Sequence, residues 1–310
     1  MKRGCYTMDL DFKPVVAGDI DRLRPFYGLR PNKTCDSVFL DSFLWKDYYH
    51  VRCAVSEGRA VLWLMEKDGQ VSTAMPLCRE EDLPYFFQQM VDYFSGVLHK
   101  PFYISLADEE AVQYLNLDPA LFEVEEQVDL KDYLYSGEEL RKLEGKKFVK
   151  KRNHLNGFKR TYEGRYEYRR LCCSDRHEVW QFMERWRQHK EEVGAMELSL
   201  DYEVAGIHDI LKNCSSLYVR MAGVYIDGQL EAFTIGSLNV RENMAVIHIE
   251  KANPEIRGLY QFINQQFLVN EFPEAELVNR EDDVGMEGLR KAKMSYNPIG
   301  FARKYMVRER

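Results

Sequence analysis

Residue types able to do chemistry concentrate near the C-terminal end of the sequence. Residues 279–283 read Asn-Arg-Glu-Asp-Asp, so one guanidinium stands beside three carboxylates directly after a predicted strand. Such a cluster could hold the α-ammonium of an aminoacyl group or a basic side chain, with Arg280 fixing the carboxylates. Opposite charges around a loop between Gly285 and Gly288 suit a zwitterionic or ester substrate. An Arg–carboxylate network that only braces this loop is the alternative.

A second candidate group lies at the end of a predicted central strand. Glu250 and Lys251 end that strand where a helix is expected to begin, and ligands of open α/β sheets usually bind at such an edge. An ion pair at the strand end is the alternative interpretation. His248 alternates with two isoleucines, and we interpret it as a hydrogen-bonded structural residue, because no partner supports a general base.

The charge distribution singles out a third feature. Residues 141–170 contain twelve Lys and Arg against three Glu, a local charge of +9 in a chain whose net charge is −7. Phe148, Leu155, Phe158 and Tyr162 can share one face of a helix there, which leaves cations on the other faces. The segment is either a solvated helix face or a site for one anionic partner such as RNA. The candidate RNA-binding residues are Lys146, Lys147, Lys150, Lys151 and Arg152.

The predicted elements that position these residues occur in one order twice. Each half alternates short strands with helices and contains an Asp-Gly-Gln turn, at Asp68 and again at Asp227, which predicts a tight hairpin. The fold class is therefore mixed α/β, with two similar domains in tandem. We expect an N-terminal domain over 1–135, a basic linker helix over 136–165 and a C-terminal domain over 166–310 that carries the site.

Composition excludes several classes of protein. The 310 residues are 45% hydrophobic, enough to form a core, yet no apolar run is long enough for a signal peptide or a membrane span. Secretion and membrane insertion are not expected, and the cytoplasm is the expected location. The seven cysteines predict neither a disulfide framework nor a zinc site, and Cys172 and Cys173 are interpreted as small buried hydrophobes. No metal and no covalent nucleophile are predicted.

Several longer motifs resemble one bacterial family. They are Lys131-Asp132-Tyr133-Leu134-Tyr135-Ser136, Leu143 to Lys147, Lys151-Arg152-Asn153, Asn279 to Gly285 and Gly288 to Pro298. Together they resemble the domain named after the C-terminal, catalytic part of phosphatidylglycerol lysyltransferase. The resemblance implies two GNAT-like acyltransferase domains in tandem, related to the FemABX transferases that move amino acids from aminoacyl-tRNA. It also adds Tyr296 to the candidate substrate-binding residues.

The sequence departs in one way from the lipid-modifying members of this family and in another from CoA-dependent GNAT proteins. It lacks the membrane-embedded portion of the lipid-modifying members, so the acceptor stays open. CoA-dependent GNAT proteins carry a Q/R-x-x-G-x-G/A loop at a helix N-terminus, where backbone N–H groups approach the pyrophosphate. Here that place reads Arg257-Gly258-Leu259-Tyr260, and a tyrosine would crowd the cradle. CoA is therefore less expected than aminoacyl-tRNA, and no other cofactor is implied.

Three functions remain open. The first is an aminoacyl-tRNA-dependent transferase in which an acceptor amine or hydroxyl attacks the ester directly. The second is a CoA-dependent N-acyltransferase, and the third is a non-catalytic module that binds RNA or a metabolite. For the first, Lys251, Arg290 or Lys293 would donate to the oxyanion, and Glu250 or Asp283 would orient or deprotonate the nucleophile. The candidate catalytic residues are thus Glu250, Lys251, Asp283, Arg290 and Lys293. The candidate substrate-binding residues are Asn279, Arg280, Glu281, Asp282, Gly285, Gly288, Tyr296 and Lys304.

Overall fold

The structure is a computed structural model and describes residues 10–192 and 199–310. These residues form two compact units. The first unit contains the described residues up to Asn32, together with Lys46–Val128 and Arg303–Arg310. The second contains Lys33–Trp45 and Asp129–Ala302. Strands and helices are numbered below in chain order.

The first unit has two small antiparallel sheets. One has the order β1-β2-β3-β4, and the other has the order β5-β14-β6, so the last strand of the chain lies in its middle. Phe86, Phe94 and Phe102 are buried in the core of this unit. Its strands are β1 (Lys13–Pro14), β2 (Arg52–Ser56), β3 (Ala60–Lys67), β4 (Gln70–Ser72), β5 (Tyr103–Asp108), β6 (Phe122–Glu126) and β14 (Lys304–Glu309), and its helices are α1 (Ile20–Tyr27), α3 (Leu83–Tyr93) and α4 (Glu109–Leu115).

The second unit is built on a seven-stranded sheet of order β13-β7-β12-β11-β10-β9-β8. Neighbouring strands are antiparallel except β11 and β12, which are parallel. Its strands are β7 (Asp132–Ser136), β8 (Tyr166–Arg170), β9 (Arg220–Ile226), β10 (Gln229–Asn239), β11 (Met244–Ala252), β12 (Leu277–Asn279) and β13 (Gly300–Ala302). Its helices are α2 (Phe39–Leu44), α5 (Gly137–Lys142), α6 (Val149–Thr161), α7 (Arg176–Glu192), α8 (Leu200–Asn213), α9 (Leu259–Glu271) and α10 (Glu287–Met294).

Helices cover both faces of this sheet. On one face, α9 packs on the strands and α6 packs on α9, with the rings of Phe158 and Phe262 4.8 Å apart. On the other face, Phe182 of α7 lies 5.6 Å from Phe233 of β10. Because successive side chains of a strand point to opposite faces, β11 presents neighbouring residues to different helices.

Both predicted hairpins are confirmed. Asp68-Gly69 joins β3 to β4, and Asp227-Gly228 joins β9 to β10. All four residues have positive φ, between 51° and 83°, as a type I′ turn requires. Asn253-Pro254 would suit the start of a helix, with Asn as the cap and Pro at the first helical position, and the sequence predicts that the long helix begins there. This prediction is wrong. Residues 253–258 form turns, and α9 begins only after Gly258, whose φ is +88°.

Other sequence expectations differ from the structure. Cys173 and Cys214 form a disulfide, so Cys173 is not the small buried hydrophobe expected, and Cys172 is an exposed free thiol. The two bonded cysteines are 41 residues apart, which no spacing pattern indicates. The compact units also do not follow the division at 135 and 166, because β7 belongs to the sheet of the second unit and β14 to a sheet of the first. Among the described residues, no helix has both the length and the apolar character needed to cross a bilayer.

Candidate functional site

A buried ion pair joins two of the candidate residues in the second unit. Nη2 of Arg280, just after β12, donates to Oε1 of Glu250 near the end of β11 at 2.8 Å. The other oxygen of Glu250 accepts a hydrogen bond from Asn264 of α9, also at 2.8 Å. The two ionic side chains are only 13% and 10% exposed. β12 runs parallel to β11 and ends opposite Val246, so the chain that follows β12 passes beside the last residues of β11.

Aromatic rings surround the Arg280 guanidinium. Its central carbon lies 4.8 Å from the ring centre of Tyr296 and 5.9 Å from that of Tyr135. Burial is the largest influence and acts to lower the pKa of Arg280, but the attractions of Glu250, Tyr135 and Tyr296 together outweigh it and the pKa is raised. The guanidinium therefore stays charged. Burial raises the pKa of Tyr296 to about 12, so its hydroxyl stays protonated.

One guanidinium nitrogen remains available in this pocket. Nη1 of Arg280 is buried and has no hydrogen-bond partner among the residues that the structure describes. A buried donor without an acceptor costs about 1–3 kcal/mol, and more when it is charged. An acceptor oxygen from a bound molecule would remove that cost.

Lys151 of α6 forms the outer edge of the site. Its Nζ lies 3.8 Å from the ring centre of Tyr296 and donates to Oγ of the exposed Ser295 at 2.6 Å. Burial and the nearby positive charge of Arg280 lower the pKa of Lys151 to about 8. The amine therefore exchanges protons close to neutral pH, as a general acid–base group does. We call Lys151, Glu250, Arg280 and Tyr296 the arginine pocket.

Lys251 does not join Glu250, which corrects the expected pairing of these neighbours. Strand alternation directs Lys251 to the opposite face, where its Nζ lies 2.8 Å from a carboxylate oxygen of Glu203. The same ammonium lies 4.1 Å from the ring centre of Trp186 of α7. These contacts tie the sheet to α7 and α8 and place Lys251 away from the arginine pocket.

Asp283 and Arg290 form a self-paired network instead of an open site. Asp283 is 2% exposed, accepts two hydrogen bonds from Arg290 at 2.8 and 2.9 Å, and accepts one from the Tyr133 hydroxyl at 2.5 Å. Arg290 also bonds Asp129 at 2.7 Å. Hydrogen bonding by Arg290 lowers the pKa of Asp283 to about 2. For these residues the contacts match a loop-bracing network.

The remaining candidates of the loop are held by main-chain groups. Lys293 is buried and donates to the carbonyl oxygens of Arg280 and Asp282. Asn279 is fully buried and donates to the carbonyl of Lys33 at 2.8 Å. One Asp282 oxygen accepts the N–H of Val284. These contacts fix the main chain that carries Arg280.

The last candidates lie apart from the arginine pocket. Gly285 has a φ of +77°, and its N–H bonds Asp283. Gly288 is exposed in the first turn of α10. Glu281 pairs with His248, at 2.9 Å. Lys304 is buried in β14 of the first unit.

The basic segment contains cations of two kinds. Lys147 pairs with Glu139 at 2.7 Å, and Arg152 donates to the carbonyls of Leu143 and Gly145. Lys146 and Lys150 are exposed. Lys147 is exposed too, but it is engaged by Glu139, and Lys151 and Arg152 are half-buried with contacts inside the protein.

The sequence predicted an RNA contact for Lys151 and did not predict its position in the arginine pocket. The spacing of its helix indicates that position. Phe148, Lys151, Leu155, Phe158 and Tyr162 are spaced 3, 4, 3 and 4 residues apart, so Lys151 occupies the apolar stripe of its helix. A lysine on a buried stripe is rare and indicates a partner or a function.

The fold is that of tandem GNAT-like acyltransferases. FemX matches with a TM-score of 0.60 at 10% identity over 97% of each chain, and a tandem GNAT protein of clavulanic acid biosynthesis matches with 0.50 at 9%. The chain belongs to the family described as phosphatidylglycerol lysyltransferase, C-terminal, whose model matches residues 28–308.

Individual relatives are more similar. A conserved protein of unknown function from Bacteroides thetaiotaomicron is 27% identical, with a TM-score of 0.88 over 97% of this chain and all of that one. The C-terminal domain of a putative lysylphosphatidylglycerol synthetase from Agrobacterium fabrum is 17% identical, with a TM-score of 0.68 over 94% and 92%. An uncharacterized protein of Mycoplasmoides gallisepticum is 28% identical over 57% of this chain. The match spans 56% of that protein's length.

Proposed function

We propose that this protein transfers an aminoacyl group from aminoacyl-tRNA to an amine or hydroxyl acceptor, with the arginine pocket as its active site. The observation that carries the proposal is the buried Arg280 guanidinium with one nitrogen unpaired, beside a lysine whose pKa is about 8. Membership of a family named for an aminoacyl transferase supports the reaction class. The donor and the site residues are our inference.

The chemistry assigned to the pocket is a direct acyl transfer. The nucleophilic atom of the acceptor forms a bond to the carbonyl carbon of the aminoacyl ester, and the bond from that carbon to the ribose oxygen breaks. Nη1 of Arg280 donates to the carbonyl oxygen as it becomes an oxyanion. The neutral amine of Lys151 accepts the proton of the nucleophile and returns it to the leaving ribose oxygen. No enzyme-bound acyl intermediate is needed.

Glu250 acts in this scheme through Arg280. It neutralises the guanidinium and fixes its orientation, and Asn264 in turn fixes Glu250. A donor held in place before the reaction costs no reorganisation when negative charge develops on the carbonyl oxygen. Glu250 is therefore a positioning residue.

The position of Lys151 on α6 supports a polyanionic donor. The exposed Lys146 and Lys150 precede it by five residues and by one residue. Further along, Asn153, Asn156, Lys159 and Arg160 line a surface cavity of about 460 Å³. A phosphate backbone bound along α6 would thus bring an attached acyl ester near Lys151.

The N-terminus of α9, where CoA-dependent GNAT proteins would hold a pyrophosphate, is covered by α6. A Cβ added to Gly258 would lie 2.2 Å from the carbonyl oxygen of His154, so the two backbones touch. Arg257 also contacts the ring of His154, with Nε 3.2 Å from Nδ1. These contacts support a donor other than CoA.

A binding and transfer experiment tests the proposal. The probes are a charged-tRNA 3′-end mimic with an amide in place of the ester, CoA, and aminoacyl-tRNA made from total bacterial tRNA. We expect the mimic to bind and CoA not to bind. With hydroxylamine as the acceptor, Arg280→Lys and Lys151→Ala should slow enzyme-dependent transfer at least 100-fold, while Lys150→Ala should change the rate less than threefold.

Two results would overturn the proposal. Tight CoA binding that is lost in Gly258→Ala would favour a CoA-dependent acyltransferase. Full transfer activity in folded Arg280→Lys would remove the arginine pocket from the reaction. Vesicles with and without phosphatidylglycerol, added as acceptors, then distinguish a lipid acceptor from a small amine.

A further inference from the structure

We infer that Asp41, His248 and Glu281 form a binding site for one divalent transition-metal ion of the zinc or manganese type. The three residues come from α2, β11 and the loop after β12, all within the second unit. One carboxylate oxygen of each acid and one ring nitrogen of His248 all lie within 4.8 Å of one another. We call them the triad. The sequence expectation of no metal rested on cysteine spacing, which does not bear on this ligand set.

The size of the triad fits an ion. Imidazole nitrogen and carboxylate oxygen bind zinc at about 2.0–2.2 Å, so two ligands of one ion lie at most about 4.4 Å apart. Three ligands of one ion lie about 3–4 Å from one another, so the longest separation that the triad allows, 4.8 Å, would have to shorten by about 1 Å. A mixed set of imidazole and carboxylate donors is typical of Zn²⁺, Mn²⁺ and non-haem Fe²⁺ sites.

The orientation of His248 supports this assignment. Its side chain is fully buried, Nε2 lies 2.8 Å from Oγ of Ser237, and Nδ1 lies 2.9 Å from Oε1 of Glu281. A hydroxyl at Nε2 is the kind of outer contact that orients a histidine ligand in metal sites, and it leaves Nδ1 for an ion. Nδ1 faces Glu281, and a carboxylate oxygen of the buried Asp41 lies within 4.8 Å of a ligand atom of each of the other two residues.

A pure hydrogen-bond relay is the competing explanation. In the relay, Ser237 donates to Nε2, and Nδ1 carries a proton that it donates to Glu281. In the metal site, Nε2 carries the proton and donates to Ser237, while the lone pair of Nδ1 binds the ion. The ring carries one proton in both states, on Nδ1 in the relay and on Nε2 in the metal site, so metal binding changes the tautomer and releases no proton from the ring.

The triad also has an open side and a connection to the arginine pocket. The Glu281 side chain is 21% exposed, which leaves room for water ligands and for entry of the ion. Glu281 is the neighbour of Arg280 in the chain. An ion that fixes Glu281 to α2 and β11 would therefore restrain the loop that positions the Arg280 guanidinium.

The test measures metal binding alone and needs no transfer activity. The full chain, freed of metal with a chelator, is titrated calorimetrically with Zn²⁺ and with Mn²⁺. We expect one equivalent to bind. Co²⁺ should give visible absorption bands typical of a site with nitrogen and oxygen ligands.

Variants separate the triad from surface histidines. His248→Gln, Asp41→Asn and Glu281→Gln should each weaken binding about 100-fold or more. Ser237→Ala removes only the orienting hydroxyl and should weaken it about 10–100-fold. His177→Gln, an exposed histidine of α7, should leave binding unchanged. Thermal unfolding without metal identifies any variant that fails to fold, in which case Ser237→Ala decides.

The inference fails if the wild-type chain binds no ion at micromolar concentration. It also fails if binding persists unchanged in folded His248→Gln and Glu281→Gln. Either result identifies the triad as a hydrogen-bond relay and leaves the proposed transfer reaction untouched, because the readout does not depend on aminoacyl-tRNA.

Discussion

Lys151 combines two properties that an exposed lysine of the same helix does not have. It occupies a position of the helix that would ordinarily carry an apolar side chain, and its ammonium lies against the Tyr296 ring near the Arg280 guanidinium. Burial and the neighbouring guanidinium both penalise its charged form. The residue therefore gains a proton equilibrium near neutral pH, at a place where substrate chemistry can use it.

The pH dependence of transfer follows from that equilibrium. With a pKa of about 8, about one tenth of the Lys151 amines are neutral at pH 7 and about half at pH 8. We expect kcat/KM to rise about tenfold from pH 6 to 7 and to level off above pH 8. Lys151→Arg stays protonated, so its residual rate should show no such rise. A wild-type profile that is flat from pH 6 to 9 would contradict this role for Lys151.

Asp283 should behave as a stabilising residue. Its folded pKa of about 2 lies below the usual value for Asp, so its contribution is present above about pH 4 and is lost as the pH falls toward 2. We expect Asp283→Asn to lower the free energy of unfolding at pH 7 by roughly 2 kcal/mol, because it weakens several hydrogen bonds to a buried carboxylate. Urea unfolding at pH 7 and pH 3 measures both effects.

The matched control for Asp283→Asn is Asp92→Asn, an exposed residue of α3. Its unfolding free energy should change by less than about 0.5 kcal/mol. Equal effects of the two substitutions would contradict a bracing role for Asp283.

The sequence identified Glu250 and Arg280 as candidates, but it could not show that they form one ion pair. Their contact depends on β12 lying beside β11, which is a matter of strand order. Conversely, the sequence placed Lys251 with Glu250 because they are neighbours, although strand alternation separates them. The partner of Asp283, Tyr133, is 150 residues away in the chain, beyond any local pattern.

At the level of elements, the crossing of α6 and α9 determines the shape of the arginine pocket. The crossing is close because Gly258 has no side chain and adopts a φ of +88°. The carbonyl of His154 lies where a Cβ would be. This contact holds Lys151 over Tyr296.

Gly258→Ala should therefore separate the two helices. We expect a loss of roughly 2–4 kcal/mol in unfolding free energy, from the steric overlap and the left-handed backbone together. Gly228→Ala is the control, because Gly228 has a similar φ of +83° but nothing within 4 Å of its Cβ position. It should lose only about 1 kcal/mol. Equal losses of unfolding free energy in the two variants would show that the close crossing of α6 and α9 does not contribute to stability.

The basic segment should bind polyanions through its exposed cations only. Replacing Lys146 and Lys150 with Ala should lower tRNA affinity and reduce the slope of log affinity against log salt by about 0.7–0.9 per lost contact. Stability should stay unchanged. Lys291→Ala, an exposed lysine of α10, is the charge-matched control. Absence of salt-dependent binding in the wild type would identify a merely solvated face.

The sequence predicted the helices and hairpins better than it predicted the residues at which they begin and end. Periodicity located α6, and Asp-Gly located both hairpins, because these signals are local. The start of α9 was misplaced by about five residues. Asn253-Pro254 is a good helix start in isolation, but residues 253–258 form turns and Gly258 supplies the close approach to α6.

At the scale of the whole molecule, both units are discontinuous in sequence. The first unit requires its last strand, since β14 pairs antiparallel with both β5 and β6. A chain that ends at Ala302 leaves those two strands without the partner between them. We expect this truncation to expose the first unit to limited proteolysis and to abolish its cooperative unfolding. Removal of Arg310 alone, which lies beyond β14, should change neither.

The place of β14 in the middle of its sheet has a consequence for biosynthesis. A ribosome that has translated residues 1–128 has supplied almost the whole first unit, yet β14, which joins β5 to β6, follows only after residues 129–303. Sheet formation there must wait until translation reaches residue 309. Until then β5 and β6 each present an unpaired edge to which other chains can add. While residues 129–303 are being made, these two strands are therefore exposed to chaperones and to aggregation, and a ribosome that stalls within that stretch leaves their sheet incomplete.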